Sequence, residues 1–194
     1  MNSVRRFTHF GLWFGGTLIL LAAALIGVDV LMRKLLNRSI GGADELAGYA
    51  LAIGTAWGLG AALLDRAHIR IDSLYVLFPR KLRLLLDLAA LILLVAFFAL
   101  MTWHGIGVMS QSWTAGSRSQ SALEVPTVIP QALWIVGLLG FVAVGILLLL
   151  HAVAMILHGD LSAAARAIGT RSAEEEVEDE IRDLKQRAER EGRG

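Results

Sequence analysis

Apolar and polar positions fall into long blocks along this chain. Four runs contain no Asp, Glu, Lys or Arg: residues 7–28, 46–64, 88–117 and 125–159, or 22, 19, 30 and 35 residues. A charge at the centre of a bilayer is costly. A helix needs about 20 apolar residues to cross about 30 Å of hydrocarbon. Each run therefore predicts one transmembrane helix. The last two runs turn polar at one end. Gln111, Ser112 and Thr114 predict that the third helix leaves the membrane near residue 110. Pro126 and Pro130 predict that the fourth begins near residue 130, because proline suits the first turn of a helix. The expected spans are 10–32, 44–64, 85–108 and 130–157, within a transmembrane domain of residues 1–159. A charged tail, 160–194, follows. The fold class is an all-α integral membrane protein: an antiparallel bundle of four transmembrane helices with an interfacial loop segment and an amphipathic C-terminal helix.

The first run follows Arg5 and Arg6, as a secretory signal would. A signal's apolar region spans about 7–15 residues and ends at a small-x-small site. This run is longer and continues into Asp29-Val-Leu-Met-Arg33-Lys34, so a retained helix is expected. Of the 18 Lys and Arg, 14 fall in the N-terminus, the loop 65–87 and the tail, and 4 in the loops 33–45 and 109–129. The positive-inside rule then places both termini in the cytoplasm. Trp103, Trp113 and Trp134 would mark the outer interface.

Composition agrees with a membrane class. Apolar residues make up 56% and charged residues 18%, with mean hydropathy +0.62. A net charge of +1 offers nothing to nucleic acid, and the absence of cysteine removes disulfide and thiolate chemistry. Within the second span Ala50, Gly54, Gly58 and Ala62 recur every four residues, a stripe that lets another helix approach closely. It serves either packing within the chain or docking of another membrane protein. Gly11 and Gly15 repeat that spacing in the first span. In the tail, Val177, Ile181, Leu184 and Ala188 form the seam of an amphipathic helix.

Motifs for intramembrane hydrolysis are missing, and no carboxylate lies at mid-depth for proton coupling. Asp29 reads as an interface residue one turn from Arg33. A haem-bearing anchor subunit of an oxidoreductase would need two histidines at one depth on facing helices. His104 and His151 fall near opposite faces, about 20 Å apart along the membrane normal. His9 and His151 share a side, so that alternative stays open, as does a stand-alone small transporter. The loop 65–87 alternates polar His68, Arg70 and Asp72 with Ile69 and Ile71, then offers Leu74, Leu77 and Phe78 before Pro79. It reads as a segment lying in the inner membrane interface, in contact with lipid.

That loop carries a resemblance. His68-Ile69-Arg70-Ile71-Asp72, followed by Leu74, Tyr75 and Pro79, resembles the segment after the second helix in the small permease subunit of TRAP transporters, the tripartite ATP-independent periplasmic transporters. Ala43-Asp44-Glu45-Leu46-Ala47-Gly48-Tyr49 is similar to the family's approach to the second span. So are Trp113 to Gly116, Ser119 to Ser121, and Pro126, Pro130 and Gln131 to its approach to the fourth. The chain departs at Trp134-Ile135-Val136-Gly137, where members often carry a proline before the glycine; this bears on the local shape of the fourth helix. The resemblance covers about residues 5–157. It implies an accessory subunit of the bacterial inner membrane, not an enzyme, beside a large membrane subunit and a periplasmic substrate-binding protein. It implies organic acid uptake by sodium symport, with sodium held in the large subunit and no cofactor here. Glu45, His68, Arg70, Asp72 and Pro79 are the expected loop-positioning or partner-contacting residues.

Overall fold

The computed structural model describes residues 2–65 and 78–169, together with 181 and 184. It contains four long helices: α1 (Asn2–Leu36), α2 (Ala43–Leu64), α3 (Arg80–Thr114) and α4 (Val128–Leu157). A short α5 (Leu161–Ile168) follows. All four long helices have the length and apolar character to cross a membrane. The chain is therefore an all-helical, multi-pass membrane protein, as expected.

Each helix encloses its expected span and outruns it. The third was expected to leave the membrane near residue 110, yet its backbone stays helical to Thr114. Gln111, Ser112 and Trp113 suit an interfacial helix as well as a loop. The helix stops where Gly116 takes a positive φ of 59° and Ser117 N–H turns back to the Ser112 carbonyl at 2.9 Å. At the fourth helix, Val136 before Gly137 keeps the backbone amide that a proline would lack, and α4 runs unbroken from Val128 to Leu157.

The helices pack in the order α1, α2, α4, α3, and Phe7 of α1 also reaches Gly140 of α4. Chain neighbours run antiparallel, while α2 and α4 meet in the middle and run parallel: Ala56 faces Gly137 and Leu63 faces Gly145. The outer members are less covered. Buried residues make up 17% of the most apolar stretch of α1 and of α3, against 33% in α2 and α4.

Close approach rests on small residues. A methyl group on Gly15 would overlap the Gly54 carbonyl, and one on Gly11 would sit 2.7 Å from the Trp57 carbonyl oxygen. The inner core joins Leu63, Leu91, Val95, Phe141, Val144, Ala152 and Ile168. Ile168 brings α5 against α3 and α4 at the end of the bundle away from the α1–α2 and α3–α4 turns. The Asp160 carboxylate starts α5 by accepting the Ala163 amide hydrogen at 2.8 Å. Of the tail seam, Ile181 and Leu184 are helical and exposed; Val177 and Ala188 lie outside the described residues.

Candidate functional site: the outer junction

Polar side chains gather where the α1–α2 and α3–α4 hairpins turn. Asn37 ends α1 by adopting φ 51°, a left-handed conformation that asparagine tolerates. The chain then folds back over the last turns of α1. Asp29, 1% exposed, receives it. One carboxylate oxygen accepts the Ile40 amide hydrogen at 2.6 Å and the Ser39 hydroxyl at 3.0 Å. The other pairs with Arg33 at 2.6 Å. Arg33 also reaches Asp44 on α2 at 3.5 Å. The Asp29–Arg33 pairing was legible in the sequence; the capture of Ser39 and Ile40 was not.

Gly42 opens α2 at φ 94°, a conformation that disfavours any side chain. It also lies against Leu123, 2.5 Å from where a Cβ would stand. Gly41 similarly abuts Ala122. The α1–α2 and α3–α4 loops thus touch, which places them at one end of the bundle. Glu45, in the first turn of α2, faces Ser119, Ser121 and Tyr49. Both serine oxygens are engaged: Ser119 Oγ accepts the Val125 amide hydrogen at 3.0 Å, and Ser121 Oγ that of Leu123 at 3.2 Å. The two hydroxyls also lie 3.4 Å from each other, so their hydrogens are shared between that contact and the carboxylate. The Oε1 atom of Glu45 is sealed from solvent without a hydrogen bond of good geometry, as is Oε1 of Gln131. Arg118 donates to the Glu124 carbonyl at 3.2 Å and forms an isolated bridge with Pro126, closing the loop on itself.

The other expected site residues divide. His68, Arg70 and Asp72 lie outside the described residues. Pro79 caps the start of α3, its carbonyl accepting from Leu82 at 2.9 Å and Arg83 at 3.1 Å. Within the stripe, Gly54 packs on Gly15, whereas Gly58 has only Leu12 nearby, 3.9 Å from where a Cβ would stand. Ala50 and Ala62 are half-buried.

Two residues carry no mark in the sequence pattern. Trp57 donates its indole N–H to the Leu133 carbonyl at 2.9 Å, joining α2 to α4. Its ring also sits in an aromatic cluster, 4.9 Å from Phe14 and 6.4 Å from both Phe7 and Phe10. Trp57 is half-buried, and nothing in local spacing marks the backbone partner of its N–H. Asp87, 1% exposed, sits near the inner end of α3, where in sequence it only bounds a charge-free run.

The histidines do not converge. Gly105 lies beside Ile135, so His104 and His151 stand about 24 Å apart along the helices. His9 is on α1, and Thr8 and Val144 both flank Gly60, which leaves His151 about 10 Å farther inward. All three histidines are exposed. The seam between Phe7, Thr8, Trp57 and Phe141 encloses a cavity of about 10 Å³, enough for one water at most.

Long apolar helices joined at their ends by polar latches define a multi-pass membrane protein. The family model of the DctQ component of tripartite ATP-independent periplasmic transporters matches residues 22–159. The chain belongs to that family, and is thus a transporter component. Neither a curated protein nor a solved structure matches it.

Proposed function

We propose that this chain is the small, non-enzymatic membrane subunit of a sodium-driven TRAP-type transporter for organic acids. It sits in the bacterial inner membrane with both termini in the cytoplasm. Its partners are a large membrane subunit, which carries substrate and sodium, a periplasmic binding protein, and surrounding lipid. Here it acts as a brace.

One observation carries this reading. Asp29 ties Arg33, Ser39 and Ile40 into the first turn and Glu45 faces Ser119 and Ser121 across the two hairpins, while the charge-free runs leave the interior of the row apolar. An ion or a carboxylate in hydrocarbon needs polar partners; a neighbouring helix needs only shape. Membership of the DctQ component family supports such a neighbour.

Co-expression with a candidate large subunit tests the proposal. The two should purify together, and deletion of this chain should abolish solute uptake by the complex. Full uptake without it would refute the proposal, as would uptake by this chain alone in liposomes or a Soret band in the purified chain.

A further inference from the structure

Residues 160–194 extend beyond the family match, which ends at 159. Their first turns are built against the bundle. Gly159 ends α4 with φ 82°, and the Asp160 carboxylate caps α5. Ile168, 7% exposed, enters the core cluster with Leu91 and Val95 of α3 and Ala152 of α4. Ala167 of α5 packs on that cluster, as do Leu84 and Leu88 of α3. Gly169 is itself buried. Burial of Ile168 holds its neighbour in place, so the rest of the tail leaves the bundle from Gly169, beside the first turns of α3.

The two parts of the chain brought together there carry opposite charge. α3 opens with Arg80, Lys81 and Arg83 and has no acid in its first turn. Lys81 is exposed. It lies about 5 Å of helix from Leu84 and about 15 Å from Leu91. The tail carries Glu174, Glu175, Glu176, Glu178, Asp179 and Glu180 with no base among them. The five residues from Gly169 to Glu174 span at most about 18 Å, so the acidic run reaches Lys81 without unseating Ile168. Arg5 and Arg6 open α1 at the same end, but α5 packs on α3 and α4.

A tether this short keeps acids and bases together at an effective concentration on the order of millimolar. A membrane surface that contains anionic lipid repels the same acids and attracts the same bases. The apolar seam of the tail does not provide the hold, since Ile181 and Leu184 are 46% and 55% exposed. Charge is left to position the acidic run.

We propose that the acidic run 174–180 folds back on the basic start of α3 around Lys81, as an intramolecular cover that anionic lipid headgroups displace. The cover rests on the placement of α5 and on charge, and is independent of the proposed transport role. Each exposed ion pair contributes little, so the contact is reversible. It is also sensitive to salt, because surface charges are screened beyond about 8 Å at physiological ionic strength.

A zero-length carbodiimide reads this contact on the unsubstituted full-length chain. It joins a lysine amine to a carboxylate as an amide, and the lysines of the chain are Lys34, Lys81 and Lys185. Lys34 lies in the last turn of α1, at the outer junction, and serves as the distant control. In phosphatidylcholine nanodiscs, peptide mass mapping should find Lys81 joined to acids of the run several-fold more often than Lys34. The link should fall several-fold in about 1 M sodium chloride, where the screening length shortens to about 3 Å. It should also fall when phosphatidylglycerol replaces half of the phosphatidylcholine. Mixing isotope-labelled with unlabelled chains separates links within a chain from links between copies. Lys81 linked no more often than Lys34, links between copies alone, or a yield that salt leaves unchanged would each overturn the fold-back. A yield that phosphatidylglycerol leaves unchanged would overturn the displacement by lipid.

Discussion

The Asp29 carboxylate holds the Ile40 amide hydrogen at 2.6 Å, across a turn that brings the chain back over the helix it has just left. Asp29 is sealed, yet Arg33 and Ser39 complete its partners, so the charge is tolerated at the outer end of α1. Replacing it should unfasten the α1–α2 hairpin. Asp29→Ala strands the Ile40 amide, leaves the Ser39 hydroxyl without its acceptor and frees Arg33. Asp29→Asn keeps an acceptor for the first two and loses only the ion pair. The expected outcome in detergent is a fall in Tm of several degrees for Asp29→Ala and a clearly smaller fall for Asp29→Asn. Equal falls would mean that the ion pair dominates.

Gly15 and Gly16 form an internal control for the α1–α2 contact. A methyl on Gly15 meets backbone, which cannot rotate away, whereas one on Gly16 meets nothing within 4 Å. Gly15→Ala should destabilise the chain by about 1–3 kcal/mol through forced separation of the helices. Gly16→Ala should lie within about 0.5 kcal/mol of the parent. Steric-trap or denaturant unfolding of both variants in one detergent gives the comparison.

The four spans were legible because a charge-free run is a one-dimensional signal. Row order was not, since it depends on which small residues meet. Gly58 belongs to the same four-residue stripe as Gly54, yet only Gly54 contacts Gly15 closely. A stripe at spacing four drifts around a helix of 3.6 residues per turn, so its members come to face different neighbours. At the outer junction, Glu45 was singled out through the family resemblance. Its proximity to Ser119 and Ser121 could not be read from spacing, because the α3–α4 loop closes a gap of more than seventy residues. Trp57 was silent for a similar reason: its acceptor, the Leu133 carbonyl, is backbone and leaves no mark in composition.

Trp57 yields a prediction that separates hydrogen bonding from packing. Trp57→Phe retains an aromatic ring near Phe14 but has no N–H for Leu133. The expected loss is about 0.5–1.5 kcal/mol. Trp57→Ala also empties the space between Phe14 and Gly137, at a cost of about 3–5 kcal/mol. A difference of under about 1 kcal/mol between the two, by equilibrium unfolding, would show that the ring contributes little.

Arg70 belongs to the family-like segment after α2 and is proposed to serve the complex rather than the fold of this chain. Arg70→Ala should insert normally, judged by membrane-fraction yield. Recovery of the co-purified large subunit, solute uptake, or both should drop several-fold. Unchanged recovery and uptake would remove Arg70 from the proposed site.

Glu45 joins α2 to the α3–α4 loop, so its replacement should loosen a segment distant in sequence. In Glu45→Ala the Ser119 and Ser121 hydroxyls lose the carboxylate they face, while their bonds to the Val125 and Leu123 amides remain. The loop should keep its internal shape but detach from Gly41 and Gly42. Arg118, exposed in that loop, is the natural reporter, because a trypsin site is cut only when its backbone can leave its resting place. Right-side-out spheroplasts are expected to show cleavage after Arg118 several-fold faster in Glu45→Ala than in the parent. The double variant Ser119→Ala with Ser121→Ala should reproduce that rate, and adding Glu45→Ala to it should cause little further change, because all three act through one contact. Additive acceleration in the triple variant would mean that the serines hold the loop independently of Glu45.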